Sequence, residues 1–170
     1  GVAVSSNPSS AGDTTGQISR LNTALSSELA SYNASQTIES VSFDKAGNSY
    51  ATFDNASTGM GGIVISTKVA YNRDGETFNA SQDRLISGSN TGLISPKGLD
   101  IASDSGMIFV AENNETTPSI AIFSSCATGD VLPLMTLTFA NNARPWDVDY
   151  DSNTDRAFVA LTNGTVAVFD

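Results

Sequence analysis

A five-residue phrase returns in this chain with similar surroundings. Tyr32-Asn33-Ala34-Ser35-Gln36 recurs as Phe78-Asn79-Ala80-Ser81-Gln82, and a weaker third copy reads Phe139-Ala140-Asn141-Asn142-Ala143. A Gly-led apolar stretch precedes each of the first two copies at the same distance, from Gly16 and from Gly62. A period of roughly 45 to 60 residues indicates a repeat array, in which each unit covers the apolar face of its neighbour.

Aligning the segments around these phrases gives a unit of short β-strands. The first strand alternates apolar residues with small or polar ones, which is the period-2 pattern of a strand. Turn residues follow it each time, since Gly, Asn and Asp tolerate the backbone of tight hairpins. The middle strands are apolar on both faces, as expected for a sheet packed between two neighbours. The predicted strands are 38–44, 96–102 and 145–151 for the first position; 50–53, 109–111 and 158–161 for the second; 63–65, 120–123 and 166–169 for the third; and 29–32, 77–78 and 134–139 for the fourth.

Two segments are predicted to connect strands. Residues 81–95 separate the second copy of the phrase from the next first strand, so we predict a long connection there. The Gly-rich segment Thr58-Gly59-Met60-Gly61-Gly62 is predicted as a flexible loop between strands two and three. It is not a phosphate-binding loop, because no Lys-Ser/Thr pair and no helix follow it.

The N-terminal part of the chain allows two interpretations. Apolar side chains from Ile18 to Tyr32 recur close to helical spacing, which would make 17–32 an amphipathic helix. The repeat instead puts a second strand at 2–5, a third at 17–20 and a fourth at 29–32. We favour the strands because they complete the same unit.

These assignments predict an all-β chain that forms a β-propeller of about four blades or blade portions. Residues 1–32 would form a partial blade, 38–78 and 96–139 whole blades, and 145–170 a partial blade. Closed propellers typically have about four to eight blades. The chain is therefore expected either to be part of a larger propeller, which we favour, or to close four blades by joining its ends.

Charge and composition exclude some partners and favour one compartment. A net charge of −10 makes nucleic acid and anionic lipid poor partners, since both require a basic surface. No apolar run is long enough for a transmembrane helix. Abundant Ser, Thr and Asn, few Lys and one Cys are common in exported bacterial proteins, so we expect a periplasmic, cell-surface or secreted location. Asn-x-Ser/Thr sequons would permit glycosylation in a secreting host; they begin at Asn33, Asn55, Asn79, Asn114 and Asn163.

Two segments resemble known propeller repeats. Residues 43–52 resemble the Asp-x-x-Gly-Asn hairpin of NHL and SMP-30-like repeats, and 144–151 with 156–160 are similar to YVTN-type surface-layer and lactonase-like repeats. The likeness covers 38–170 well and 1–37 loosely. It implies about six or seven blades around a central channel, with function at the channel mouth or on a rim. Members of these families include calcium-dependent lactonases, phosphogluconolactonase-like enzymes, sugar-acid and streptogramin lyases, and non-catalytic envelope or adhesion proteins.

Several catalytic chemistries are excluded by the residue types alone. The chain has no histidine, so neither a Ser-His-Asp or Cys-His nucleophile nor an ordinary zinc site can be built from it. Cys126 has no base partner nearby in sequence and is predicted to be a packed thiol.

A row of carboxylates is the best candidate for metal binding. Asp147, Asp149 and Asp151 alternate along one predicted strand and so share a face, and hard oxygen ligands suit Ca²⁺. The favoured alternative is that the Asp149 and Asp151 side chains are solvated or cap the following turn. Asp151-x-Asn153-x-Asp155 also resembles the start of a calcium loop, but Arg156 occupies the position of the required Gly, so turn chemistry explains it better.

The resemblance implies a ligand site where the first strands enter the channel. The corresponding positions are Glu39, Lys97 and Trp146, followed by Ser40, Gly98 and Asp147. The metal-binding set of SMP-30-like lactonases is not visible among them, so we assign no metal ligand and no cofactor, with Ca²⁺ as the alternative. The predicted ligand-binding residues at the channel mouth are Glu39, Lys97, Trp146, Asp147 and Asp149.

Three functions remain open at this point. The favoured one is a non-catalytic, exported propeller that serves as a protein-interaction or structural component of a bacterial cell envelope. Its partner would be another protein, an envelope complex or the remainder of the propeller. The first alternative is a calcium-dependent lactonase or lyase-like enzyme. The second is a small-ligand or glycan sensor that uses Trp146 and the connection 81–95.

Overall fold

The computed structural model of the chain describes residues 2–7, 16–33, 36–55, 58–66, 84–139 and 143–170. These residues form β-strands, turns and loops, and no helix, which confirms the all-β prediction for this part of the chain. The described residues thus include no helix that could cross a membrane. The strands are β1 (Val2–Ser6), β2 (Gln17–Leu21), β3 (Glu28–Asn33), β4 (Ile38–Phe43), β5 (Ser49–Asn55), β6 (Met60–Ser66), β7 (Arg84–Ser87), β8 (Pro96–Ala102), β9 (Met107–Glu112), β10 (Ser119–Ser124), β11 (Met135–Thr138), β12 (Pro145–Asp151), β13 (Arg156–Leu161) and β14 (Val166–Phe169).

The strands form four antiparallel sheets, each made of strands that follow one another in sequence. Sheet A contains β1–β3, sheet B β4–β7, sheet C β8–β11 and sheet D β12–β14. Among the described strands, β1 pairs with β2 and β14 with β13, so sheets A and D stay separate. The alternative in which the chain ends join into one sheet is therefore not seen.

Tight turns with left-handed residues connect the first two strands of sheets B, C and D. Gly47 and Gly106 have φ of 80° and 67° in the β4–β5 and β8–β9 turns, and Asp155 has φ of 57° in the β12–β13 turn. Gly tolerates this region without steric cost and Asp does so better than most residues, which is why turn residues could be recognised in sequence.

The helix interpretation of 17–32 is wrong. β2 and β3 form a hairpin in which Ile18 is opposite Tyr32, and the turn between them holds Leu25 at φ 56°. The Asn22 side chain accepts the backbone N–H of Ser26 at 2.9 Å and stabilises this turn. Leu25 is exposed, so the helical spacing of the leucines was coincidental.

The predicted connection 81–95 is wrong at 84–87, which form β7, the fourth strand of sheet B. Ile86 is fully buried opposite Ile63 of β6, whereas its neighbour Leu85 is exposed, so the segment has the alternation of an ordinary strand. The strand predicted at 77–78 and the second copy of the phrase lie outside the described residues, as do Ala34-Ser35 of the first copy and Ala140–Asn142 of the third.

The Gly-rich segment 58–62 is also only partly a loop. Gly61 and Gly62 belong to β6, and a Cβ on Gly62 would lie 2.5 Å from the Ile86 carbonyl oxygen. A side chain at this position would therefore clash with β7, so the glycine allows close approach of two strands rather than flexibility.

Apolar side chains pack between neighbouring sheets. Sheets B and C bury one cluster, which includes Ile63, Ile65, Leu99, Ile108 and Phe123. Sheets C and D bury a second, which includes Phe109, Ile120, Ile122, Val148 and Val159, and sheets A and B bury a smaller third with Ile18, Ile38 and Val64. Each fully buried aliphatic or aromatic side chain contributes about 1.5–3 kcal/mol through removal of its apolar surface from water. The middle sheets are therefore buried on both faces.

Polar contacts hold the first strands of sheets B, C and D side by side. The Asp100 carboxylate of β8 accepts the Ser42 hydroxyl of β4 at 3.0 Å and the Tyr150 backbone N–H of β12 at 2.9 Å. The Asn113 amide donates to the Pro145 carbonyl oxygen at 2.7 Å. The Asp100 contacts hold the later parts of the three strands together, and the Asn113 contact holds the start of β12 against the segment after β9.

Candidate functional site

The first strands β4, β8 and β12 bring four of the five predicted site residues together. Glu39, Lys97, Trp146 and Asp147 line one cleft of about 140 Å³, with Ser40 and Gly98. Asp149 lies outside it and lines a neighbouring depression on sheet D, where Asp147 also contributes. The two sites thus meet at Asp147.

Lys97 is the centre of an ion-pair network in this cleft. Its ammonium lies 3.2 Å from the Glu39 carboxylate and 3.2 Å from the Asp54 carboxylate, and the side chain is only 16% exposed. Asp54 also accepts the Ser95 hydroxyl at 3.0 Å. Two carboxylates therefore hold one cation in a fixed position.

Gly98 permits the close approach of β8 and β12. A Cβ on Gly98 would come within 1.8 Å of Asp147 Oδ1 and 2.6 Å of its Cα. Burial raises the pKa of the Asp147 carboxyl, and the carboxylates of Asp149 and Asp100 raise it further, whereas the Val148 N–H lowers it. The cleft therefore contains a carboxyl that is costly to ionise.

Trp146 is the exposed aromatic side chain of the cleft, with 57% of its surface accessible. The register of β12 and β13 shifts between Pro145 and Asp147, so Trp146 lies in a bulge. Bulges redirect side chains at strand ends. Pro145 itself is buried and anchored by Asn113, so the bulge has a rigid start.

Turn chemistry accounts for Asp151. Its carboxylate accepts the backbone N–H and side-chain amide of Asn153, both at 2.9 Å, and the Thr154 hydroxyl at 2.8 Å. These hydrogen bonds, the Asn153 N–H foremost, lower the pKa of the Asp151 carboxyl. Among the described residues, no group of three or more Asp, Glu, Cys or His side chains is arranged to hold a metal ion.

Two carboxylates near the cleft were missed in the sequence. Asp54 ends up beside Lys97, and Glu112 is 1% exposed at the end of β9. The Glu112 carboxylate accepts the backbone N–H groups of Ile94, Ser95 and Asn114 at 2.8–3.0 Å. Burial raises its pKa despite these donors. In the sequence, Glu112 could have been recognised as a candidate because it is a charged residue at the end of an otherwise apolar strand.

The outward face of sheet D is an exposed apolar surface. Phe158 lies between Asp149 and Val168 on neighbouring strands, and Ala160 lies opposite Val166. Phe158, Val166 and Val168 are all exposed. We call Asp149, Phe158, Ala160, Val166 and Val168 the sheet D face.

The sheet D face repeats a surface that is covered elsewhere in the molecule. In the repeat alignment its residues correspond to Asp100, Phe109, Ala111, Ile120 and Ile122 of sheet C. The four apolar residues of that set are buried under sheet D. The same pattern is thus buried on sheet C and open on sheet D.

The packed-thiol prediction for Cys126 is wrong, because the residue is exposed. It lies in the turn that follows β10, where its backbone N–H donates to the Ser124 hydroxyl at 3.2 Å. The apolar strand β10 ends at Ser124, two residues before Cys126.

Comparisons with known proteins give little further information. No protein-family model matches the chain. No curated protein matches it either. A crystal structure of a nidogen/laminin complex is similar at 12% identity and a TM-score of 0.40, over 92% of this chain and 75% of that one. A functionally unknown protein from Desulfotomaculum acetoxidans DSM 771 is similar at 10% identity and a TM-score of 0.44, over 92% of this chain and 66% of that one. Likeness at this level says nothing about the function of this chain.

Proposed function

We propose that this chain is a non-catalytic protein-interaction module, built as an arc of a β-propeller, whose sheet D face binds a further β-sheet, either of a partner protein or of the remainder of the propeller. The observation that carries the proposal is the match between the sheet D face and the covered face of sheet C. Phe158 corresponds to Phe109 and Val168 to Ile122. Another sheet covers these positions on sheet C. We therefore expect a β-sheet to cover the corresponding positions on sheet D.

The free energy available from burying the apolar side chains of the sheet D face supports binding. Each of Phe158, Val166 and Val168 would contribute up to about 1.5–3 kcal/mol when buried, before the cost of association is subtracted. A single exposed apolar side chain needs no explanation, but a contiguous set on one face indicates an interaction site.

Asp149 supplies the polar part of the proposed interface. Its counterpart Asp100 accepts the Tyr150 backbone N–H of the next sheet at 2.9 Å. By the same geometry, Asp149 would accept a backbone N–H from the first strand of the partner sheet. The partner is therefore expected to present apolar side chains and a backbone donor, not a second row of carboxylates.

The proposal also includes the number of blades and the cellular location of the protein. Four sheets in chain order, with apolar clusters between neighbouring sheets, support a propeller of about six or seven blades, of which residues 1–170 would form about four blades or blade portions. The composition, rich in Ser, Thr and Asn, favours an exported protein of a bacterial envelope, where the partner would be part of an envelope complex.

Co-purification from the native cells tests the proposal. The chain should recover one partner at fixed stoichiometry, and a photo-crosslinking residue in place of Val168 should attach to that partner. Phe158→Lys should abolish recovery, whereas Ser152→Lys, a charge added in the exposed β12–β13 turn, should not. Equal recovery by both variants, or no crosslink from position 168, would reject the interface.

A second candidate is a small-ligand sensor at the Trp146 cleft, which the exposure of Trp146 beside Asp147 favours. Trp146 is the one tryptophan of the chain, so its fluorescence reports on the cleft directly. An aromatic ring beside carboxylates suits a cationic group. Titration with arginine or choline should shift the emission, and an unchanged spectrum would count against this candidate.

The enzyme alternative is tested separately. A calcium-dependent lactonase should melt at a higher temperature with Ca²⁺ and hydrolyse aldonolactones, because binding to the folded state stabilises it. An unchanged melting temperature together with no hydrolysis would reject this alternative.

A further inference from the structure

A second cleft lies between sheets B and C, away from the Trp146 cleft and the sheet D face. It has a volume of about 380 Å³ and is bounded by the loop after β7 on one side and by β10 and β11 on the other. Its lining residues include Thr91, Ser119, Leu132, Pro133, Thr136 and Thr138. None of them lines either of the sites described above. The volume falls in the range of about 300–1,000 Å³ that is usual for small-molecule sites.

Small side chains on one face of β10 leave this space open. Ser119, Ala121 and Phe123 alternate along the strand and share the face toward sheet B. Phe123 fills the core between the two sheets and is fully buried. Farther along the same face, Ala121 belongs to this core and also lines the cleft, and Ser119 lines the cleft beyond it.

Hydroxyl groups converge in the cleft. Ser119 is opposite Thr138 and Ala121 is opposite Thr136 in the β10–β11 pairing, so these side chains lie on one surface. Ser119 is only 7% exposed, and none of the hydrogen bonds of the described residues uses its hydroxyl. The hydroxyl oxygen itself keeps contact with solvent in the cleft, where a ligand hydroxyl can replace water as its partner. Ser119 thus offers an unused donor and acceptor to an occupant of the cleft.

No described residue that lines the cleft is charged. Asp130 lies nearby, but its carboxylate holds the loop by accepting the Asn90 backbone N–H at 2.7 Å and the Asn90 amide at 3.1 Å. Thr91 donates its hydroxyl to the Gly88 carbonyl oxygen at 2.7 Å and fixes the same loop. Leu132 and Pro133 provide apolar walls. The wall of the cleft is therefore pre-formed, neutral, and mixed in apolar and hydroxyl character.

We infer that this cleft binds a neutral saccharide. A sugar ring presents hydroxyl edges and apolar C–H faces together, which matches hydroxyls at Ser119, Thr136 and Thr138 beside the Leu132 and Pro133 walls. A charged ligand would find no counter-ion among the residues that line the cleft, and would lose its hydration without compensation. The hydroxyls would provide orientation and the apolar walls contact area.

Ligand-observed NMR with the whole chain tests the inference. Glucose, galactose, mannose and N-acetylglucosamine at millimolar concentration serve as probes, and saturation transfer from the protein should appear for at least one. Isothermal titration then gives the affinity of that sugar. No transfer to any of the four would overturn the inference.

Substitutions locate the binding. Ser119→Ala and Thr136→Val keep the side-chain size and remove one hydroxyl each, so each should weaken binding roughly fivefold to tenfold, the effect of one hydrogen bond. Ala121→Leu should fill the cleft and abolish binding, with a thermal melt to show that the variant folds. Thr162→Val, at an exposed position in the turn between β13 and β14, is the matched control and should bind as wild type. If Ser119→Ala and Thr136→Val both bind as tightly as this control, the sugar sits elsewhere and the inference is wrong.

Discussion

Gly98 lies directly against Asp147, so close that a Cβ on Gly98 would fall 1.8 Å from Asp147 Oδ1. The contact joins β8 of sheet C to β12 of sheet D at the entrance of the Trp146 cleft. The spacing between sheets C and D and the shape of the Trp146 cleft therefore depend on the absence of a side chain at Gly98.

Gly98→Ala should destabilise the fold by about 1–3 kcal/mol, the usual cost of inserting a group into a packed site. Urea denaturation measures the change. Gly164→Ala is the comparison, since Gly164 has φ of 82° but open space around it, so only backbone strain of about 1–2 kcal/mol is expected. The Trp146 emission should shift in Gly98→Ala and not in Gly164→Ala. An unshifted emission and an unchanged stability in Gly98→Ala would mean that β8 and β12 are not in contact.

Asp100→Ala should destabilise the chain by about 2–3 kcal/mol. The substitution removes a charged acceptor and leaves the Tyr150 N–H and the Ser42 hydroxyl without their partner. Ser42→Ala removes only one of these hydrogen bonds and should cost about 1 kcal/mol. Chemical denaturation of both variants gives the comparison. Equal losses in the two variants would show that the Tyr150 contact contributes nothing.

Lys97→Met should cost about 1–2 kcal/mol, because it leaves the carboxylates of Glu39 and Asp54 together without their cation. Added salt should reduce the loss, since it screens the repulsion of the two carboxylates. Lys45→Met is the matched control: the Lys45–Asp104 ion pair is about 70% exposed on both sides and should contribute less than about 1 kcal/mol. Thermal melting at low and high salt tests both variants. A salt-independent loss in Lys97→Met would point to packing instead of charge.

Glu112 should make the stability of the chain depend on pH in a specific direction. Burial raises the pKa of its carboxyl above the ordinary value near 4.5, so the folded state favours the neutral form. The stabilisation from this group is present below the ordinary pKa and is lost as the pH rises through the raised pKa. Wild type should therefore lose stability relative to Glu112→Gln as the pH rises above the ordinary pKa near 4.5.

Urea denaturation of wild type and Glu112→Gln across this pH range provides the measurement. The opposite trend would mean that the three backbone N–H donors of Ile94, Ser95 and Asn114 outweigh the loss of hydration.

Short-range patterns predicted most strands correctly. The alternation around Val41, Leu99 and Val148 marked β4, β8 and β12, and Gly47 and Gly106 marked the turns that follow two of them. The errors came where one pattern fitted two structures. Leucines at helical spacing lie in the β2–β3 hairpin, and the short run around Ile86 was too brief to stand out as β7.

The candidate residues were also only partly predictable. Repeat alignment identified Glu39, Lys97 and Trp146 as equivalent positions, and the structure groups them because equivalent strands lie side by side. Alignment could not identify Asp54 as a partner of Lys97, since the two residues are 43 positions apart and occupy different sheets.

The amino-acid sequence alone determined most of the strands and the turns between them, because period-2 alternation and left-handed turn residues act over a few neighbouring residues. Tertiary structure decided the environment of each carboxylate. Asp54 forms an ion pair with Lys97, Glu112 is buried and accepts three backbone N–H groups, and Asp149 is exposed on sheet D. Those environments depend on which sheet faces which, and on how closely two backbones approach, as at Gly98 and Asp147. Distances of that kind arise only when segments far apart in the chain pack together.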